Sequence, residues 1–459
     1  MKKILSLVLC LSLALFVAAC GSGSQSSPQA EQNASSNSPE ASKESANEPE
    51  QAEQVTLKLS TWQQDGKAQW SKIIPEFEKK YPNIKVELDL LSEKGDSLAA
   101  MQKLDLMAAS NDQLDIIEFP YTNYSQRADI GLLEPLDGYI EQEGYNYDEE
   151  YLVDTRVNGK IYALPSSMQR WFVIMNKEVL DQEGLPVPTD WTWNDFMDYA
   201  KKLTKGDGAS KRYGAYLHNW PDYFQLQLMS KSADNTFLKS DGTSNGKDPL
   251  LKTNLEMMKK MMYEDKSVSP YEDIISQKLQ YRNQYFNGNA VMLPMGDWMV
   301  AESGGTDAIP ATFVTAFAPL PKLESENAHY SPVQPTYMGV AAKSKNKEAA
   351  YQFVRWYTSE GLEIGGRVFS GWAKSDSDKL VETIVGNAKD PSKIDVESLK
   401  YTMKNTIPGS APVPATYAEE VKNSVIPEAE LFLLNKESID KTIEKIDQKI
   451  AEIVKNNGK

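Results

Sequence analysis

Residues 158–177 read Asn-Gly-Lys-Ile-Tyr-Ala-Leu-Pro-Ser-Ser-Met-Gln-Arg-Trp-Phe-Val-Ile-Met-Asn-Lys, and no other stretch constrains the fold as much. Two apolar runs of strand length, 161–164 and 171–175, flank a polar, irregular break over 165–170. Strand, break and strand suit a chain that leaves one domain and enters another. The same pattern also fits a buried strand pair with a polar turn. Gln169, Arg170 and Trp171 end the break. They set two hydrogen-bonding side chains beside a flat aromatic, so a crossing here would also reach a ligand.

The start of the chain limits where such a fold would work. Lys2 and Lys3 precede an apolar run over residues 4–16 and then small residues, the build of a secretory signal. The run is short for a bilayer span. Residues 17–21, Val-Ala-Ala-Cys-Gly, look like a bacterial lipobox. Cys20 is therefore the expected lipidation site, and residues 1–19 the expected cleaved signal. Residues 20–54 hold Ser, Gln, Asn, Pro, Ala and Glu with almost nothing apolar, and such a segment cannot offset its ordering entropy by burial. It is expected to be a disordered tether reaching roughly 30 Å from the membrane.

Cys10 leaves with that signal and Cys20 would carry lipid, so the folded part is expected to lack thiols, which excludes disulfides, zinc–thiolate sites and cysteine nucleophiles. His218 and His329 are far apart in sequence with no metal-binding spacing, and are expected as incidental surface or loop residues. Neither a metal nor another cofactor is expected. The formal net charge is −16, with 65 acidic against 49 basic residues. A surface so acidic repels nucleic acid and anionic lipid headgroups, leaving the lipid anchor as the one expected membrane contact.

From residue 55 onward the chain is long enough for two or more domains. Alternation over 55–60, a helical stripe of Trp70, Ile73, Ile74 and Phe77, and alternation again over 84–91 predict strand, helix, strand. Pro75 is expected to kink or shorten that helix. This is the start of an open α/β sheet, in which ligands gather at the carboxyl ends of strands. Residues 62–65, Trp-Gln-Gln-Asp, occupy that end. A further short strand, 114–119, gives out at Pro120 and Tyr121, a second polar-aromatic strand end, and an apparent strand near Leu217 leaves Trp220 at its mouth before Pro221. Trp191, Trp193 and Trp356 are expected in the core, as are the methionines around residue 258.

Several of these segments together resemble one family. The interlobe stretch, with residues 184–193 after it, the Phe-Glu-Lys-Lys-Tyr-Pro-Asn-Ile-Lys-Val run at 77–86, and residues 285–298, in which a strand ends in Gly296-Asp297-Trp298, are similar to family 1 extracellular solute-binding proteins, the sugar-binding subunits of bacterial ABC importers. The resemblance spans nearly all of residues 55–459. It implies a periplasmic-binding-protein-like α/β fold, two lobes joined by a multi-strand hinge with the ligand cleft between them. The expected division is 55–164 with 322–358 as N-lobe and 165–321 with 359–459 as C-lobe, with crossings near 163–166, 319–322 and 357–361. It further implies a monomer held on the extracellular face of the membrane, with a carbohydrate ligand, permease subunits as partners and no catalysis.

A sugar presents apolar ring faces and a rim of hydroxyls, so its site needs flat aromatics and fixed polar groups. The strand ends supply Trp62, Tyr121, Trp171, Trp220, Trp298 and Trp372, with Gln63, Asp65, Glu118, Gln169, Arg170 and Asp297 between them. Trp171 and Trp298 are expected as stacking platforms, with Gly296 letting the backbone turn to present the Trp298 indole. Two other classes remain open on the residues alone. A cell-surface glycosidase or lyase would draw paired carboxylates from Asp65, Glu118 and Asp297, and an adhesive lipoprotein would need no small ligand.

Overall fold

The computed structural model describes residues 54–457 apart from residue 94. The expected signal, Cys20 and all but the last residue of the expected tether lie outside the described residues.

Strand β1 (Val55–Thr61), the helix Trp70–Lys80 and strand β2 (Ile84–Leu90) form a parallel strand–helix–strand unit. The helix docks through Trp70, Ile73 and Phe77, one apolar stripe at helical spacing. It runs through Pro75 without ending there, because Pro75 lies on the exposed face, where water can satisfy the freed carbonyl. After the helix Ser97–Ser110 comes β3 (Ile116–Pro120), and directly from it the helix Tyr121–Asp129. A short hairpin, β4 (Arg156–Val157) with β5 (Lys160–Ile161), leads into β6 (Ala163–Gln169) and β7 (Trp171–Asn176). Then follow β8 (Tyr213–Ala215), β9 (Ala290–Gly296), β10 (Thr315–Pro319), β11 (His329–Ser331), β12 (Gln334–Val340) and β13 (Thr406–Pro408).

Two main sheets result. The first has the order β2-β1-β3-β12-β6 and the second β10-β7-β9-β8. Packed on the first sheet are two apolar clusters, one with Leu57, Leu59, Phe77 and Phe353, the other with Ile117, Phe119, Tyr124 and Tyr337. The second sheet has its own cluster, which gathers Trp191, Trp193, Phe196 and the methionines 257, 258, 261 and 262. Ile446, Ile450 and Ile453 of the helix Ile439–Asn457 close it. Trp356 is buried in the first sheet's clusters, as expected. Among the described residues, no helix is long and apolar enough to cross a membrane.

Two of the three passages between sheets differ in place from the expected ones. Residues 165–169 are polar in sequence yet continue β6, because Ser166 Oγ donates to the Thr336 carbonyl at 3.0 Å and a bulge opposite Pro165 absorbs its missing N–H. The chain therefore changes sheet at Arg170 rather than over 163–166. It returns between β10 and β12. Residues 357–361 are helical and stay on the first sheet. Residues 369 and 371 then bond to the free edge of β6, while the Phe369 ring packs into the second sheet's cluster and Trp372 into the first's, so the last passage runs along this segment. Unpaired edge hydrogen bonds on β6 are what hold this segment back.

Candidate functional site

Strand directions alone assemble a site. In the first sheet, β1 and β3 run parallel, β12 runs against β3, and β6 runs against β12. Thr61, Pro120, Gln169 and the start of β12 at Gln334 therefore share one edge. In the second sheet, Trp171 at the start of β7 pairs with Gly296 at the end of β9, and the ends of β10 and β8 lie on the same edge. Because β6 and β7 are joined through Arg170, these two edges meet at the crossing. Ten of the twelve expected residues fall there: Trp62, Gln63, Glu118, Tyr121, Gln169, Arg170, Trp171, Trp220, Asp297 and Trp298.

On the first sheet's side, Glu118 is fully buried and accepts from Gln63 Nε2 at 2.6 Å and from the Thr61 hydroxyl. Burial pushes its carboxyl up to about 7, against the pull of those two donors. Gln63 is fixed further, since its carbonyl accepts from Trp70 Nε1 at 2.9 Å. Trp62 and Tyr121 are half-buried against the adjoining cluster.

On the other side, Trp171 departs from its expected role. It is 1% exposed, packs edge-to-face on Tyr223 and Trp298, and donates its indole N–H to Gln334 at 3.0 Å. The ring is core, because β7 is central to its sheet and Trp171 points into the cluster. Trp298 is half-buried and packs on that cluster. Tyr281 meets Trp220 and His218, with ring centres 5.1 and 5.7 Å away. Gly296 serves differently from the expectation: a Cβ there would lie 1.9 Å from Trp298 Cζ3. The missing side chain makes room for the indole to lie back over the strand end.

Arg170 and Asp297 join the two sides. Asp297 is 0% exposed; its Oδ2 accepts the Arg170 backbone N–H at 3.2 Å and its Oδ1 has no partner. Burial pushes this carboxyl up to about 7, and the Arg170 backbone and side chain only partly offset that. Arg170 Nε is also buried without a partner. Open hydrogen-bonding capacity of this kind, at the meeting of two sheets, is what a polar ligand would fill.

Two expected residues lie elsewhere. Asp65 is exposed and accepts from the Ser71 N–H and hydroxyl, at 2.6 and 2.9 Å, so it braces the helix start. Trp372 packs on the first sheet's cluster with its indole N–H on Glu150 Oε2 at 2.6 Å. Both histidines are corrections too. His218 and His329 are 4% and 6% exposed. Each is held by its Nδ1, at 2.9 Å to Tyr216 Oη and 2.9 Å to the Leu320 carbonyl. Burial pushes His218 down to about 4.

Sequence reasoning missed a polar chain across the cleft. Gln334 Nε2 donates to Asp222 Oδ1 at 2.6 Å, and Asp222 Oδ2 accepts from Lys422 Nζ at 2.9 Å. Asn123 on the first side also donates to Glu419 on the second. These residues sit in short helices or at a strand start with no motif around them, so no local signal marks them. These side-chain bonds bridge the two sides. A cavity of about 30 Å³ beside Tyr121, Gln225 and Lys422 has room for about one water. A larger hollow of about 380 Å³, lined by Lys58, Glu87, Asp89 and Asp112, lies on the outer face of the first sheet, has no aromatic wall and is remote from the crossing.

Comparison with known proteins agrees with this geometry. The arabinooligosaccharide-binding protein of Bacillus subtilis is 24% identical over 374 residues, 80% of this chain and 78% of that protein. An ABC substrate-binding protein of Listeria monocytogenes in complex with cycloalternan superposes with a TM-score of 0.70 at 19% identity, covering 88% of this chain and 99% of that one. A sugar transporter of Rhizobium etli in an open conformation gives 0.68 at 24% identity, covering 86% and 99%. These likenesses establish the fold as that of the two-lobed solute-binding proteins. The family model described as bacterial extracellular solute-binding protein matches residues 60–363, and the chain belongs to that family.

Proposed function

We propose that this protein captures an oligosaccharide between its lobes by closing on it and delivers it to the permease subunits of an ABC importer. The observation that carries the reading is the meeting of two strand-end edges at Arg170, where half-buried Trp62, Tyr121, Trp220 and Trp298 alternate with polar groups whose hydrogen bonds are incomplete. Flat apolar surfaces interleaved with fixed donors and acceptors match a sugar ring and its hydroxyls. The relatives that carry sugars in their names support the same ligand class. The ligand set we favour is Trp62, Gln63, Glu118, Tyr121, Gln169, Arg170, Trp220, Asp297 and Trp298.

The lobes divide, on this reading, at Arg170, between β10 and β12, and along residues 369–372. Cys20 carries the lipid that holds a monomer on the extracellular face of the membrane, and no catalytic step is involved. A thermal-shift screen of the purified chain across oligosaccharides tests the ligand class. At about a hundred times its dissociation constant, a true ligand adds roughly 2.7 kcal/mol of stability. The absence of any shift across such a panel refutes carbohydrate capture, and new reducing ends in the same mixtures refute the non-catalytic reading.

A further inference from the structure

Two short helices stand beside the aromatic wall on the second sheet's side of the crossing. The helix Tyr281–Phe286 opens with Tyr281 and Arg282. The helix Met299–Glu302 ends in Glu302 and follows directly on Trp298, whose own backbone is already helical. Trp298 and Glu302 are therefore about one helical turn apart and share a face.

Arg282 and Glu302 join the two helices as a fork. Arg282 Nε donates to Glu302 Oε2 at 2.5 Å, and Nη2 donates to Oε1 at 2.7 Å. The same guanidinium stands over the Tyr281 ring, 4.6 Å from its centre. Burial would lower this guanidinium, yet Glu302 holds it above the ordinary arginine value. Each end of the fork thus carries a ring of the wall. At one end the buried Tyr281 meets the half-buried Trp220 edge-on, with ring centres 5.1 Å apart. At the other, Trp298 meets Trp171 edge-on at 5.9 Å.

Stability alone does not account for such a pair. A largely buried ion pair gains little over its desolvation cost, and apolar side chains of similar volume often serve as well. What a bidentate fork adds is geometry, because two parallel N–H···O bonds fix distance and plane together. Groups that meet a ligand keep their placement when neighbours of this kind lock them.

We propose that Arg282 and Glu302 are positioning residues for ligand capture, setting where Trp298 and Trp220 stand relative to each other so that both rings stack on one oligosaccharide. The proposal rests on the carbohydrate reading above and adds to it two residues that need not touch the sugar.

The test uses the full-length chain and its Glu302→Gln and Arg282→Lys variants, with melting temperatures recorded to show that they fold. Without ligand, acrylamide should quench the tryptophan emission of Glu302→Gln more than that of the parent. This rise should vanish when Trp220 and Trp298 are both replaced by Phe. Titration with arabinotriose and maltotriose gives the second readout. For whichever trisaccharide the parent binds, affinity should fall about tenfold or more in Glu302→Gln. The loss should be smaller in Arg282→Lys, which keeps the charge and one N–H···O bond. Where Glu302→Gln fails to fold, Arg282→Lys carries both comparisons. Unchanged quenching overturns the proposal, and so does a lowered melting temperature with unaltered affinity. If the parent binds neither trisaccharide and a wider oligosaccharide panel is silent, the carbohydrate reading fails, while the quenching comparison still decides whether the fork places the two rings.

Discussion

Lys422 holds its ammonium 5.8 Å from the centre of the Tyr121 ring, across the cleft from the helix that carries it. Tyr121 packs with the first sheet, and Val421 beside Lys422 packs with the second. Burial alone would push the Lys422 ammonium down, yet Asp222 and Tyr121 hold it above the ordinary lysine range. Lys422 therefore acts as a clasp on the closed form. Lys422→Met leaves Asp222, itself 5% exposed, with Gln334 as its remaining side-chain partner. Breaking one side of such a pair costs about 3 kcal/mol. Chemical denaturation should show that loss, and small-angle scattering should show a larger share of the open form before ligand is added. An unchanged scattering profile and unchanged stability would remove Lys422 from the closure mechanism.

The two tryptophans that face each other at 5.9 Å should part in their behaviour. Trp171 is core, so Trp171→Ala should cost roughly 3–5 kcal/mol of stability. Trp298 keeps part of its surface at the cleft, so Trp298→Ala should weaken ligand binding more than it lowers the melting temperature. Melting curves and titrations on the same two variants decide the matter. Equal losses of stability with unaltered affinity would place both rings in the core.

The fold was legible where local pattern and burial coincide. The stripe of Trp70, Ile73 and Phe77 and the strand patterns that end at Trp62 and Glu118 are local signals, and the resemblance placed the strand end at Asp297. What escaped depended on distant partners. Ser166 and Ser167 read as a break because their sequence neighbours are polar, yet Thr336 and Ser370, far along the chain, turn them into a buried strand. Trp171 read as a surface for the same reason, since only the register with β9 puts it at the centre of a sheet. Asp65 and Trp372 are the types a sugar site uses, but their bonds to Ser71 and Glu150 depend on the fold and leave no mark in the sequence pattern. Lys422 and Asp222 come from segments 200 residues apart, and nothing local announces their meeting.

Gly296 offers a probe of the aromatic wall that alters the chemistry of no ligand-facing side chain. Its Cβ would fall on the Trp298 ring, so Gly296→Ala must displace the indole. Overpacking of this kind costs about 1–3 kcal/mol. Affinity should fall along with stability, and tryptophan fluorescence should shift as the ring leaves its place against Trp171. If affinity and emission both match the parent protein, the indole's position is not set by the glycine.

Two buried carboxyls give the stability a pH dependence whose sign can be worked out. Glu118 is pushed from the ordinary 4.5 up to about 7 by burial, and Asp297 from 3.8 up to about 7. A carboxyl raised in the folded state makes folding take up a proton, so its contribution is full below the unfolded pKa and is lost as pH rises through the folded one. For Glu118 that window is pH 4.5 to about 7. His218 works the other way, since burial lowers it from 6.5 to about 4 and acid disfavours the fold over that range. The whole-protein curve mixes these slopes, so the useful quantity is the difference between parent and Glu118→Gln. Relative to the parent, Glu118→Gln should gain stability as pH rises from 4.5 to about 7, because the amide keeps an acceptor for Thr61 or Gln63 without a charge to bury. Denaturation midpoints of both proteins at several pH values across that window supply the measurement. A difference that stays flat with pH would mean that Glu118 ionises in the fold as readily as in water.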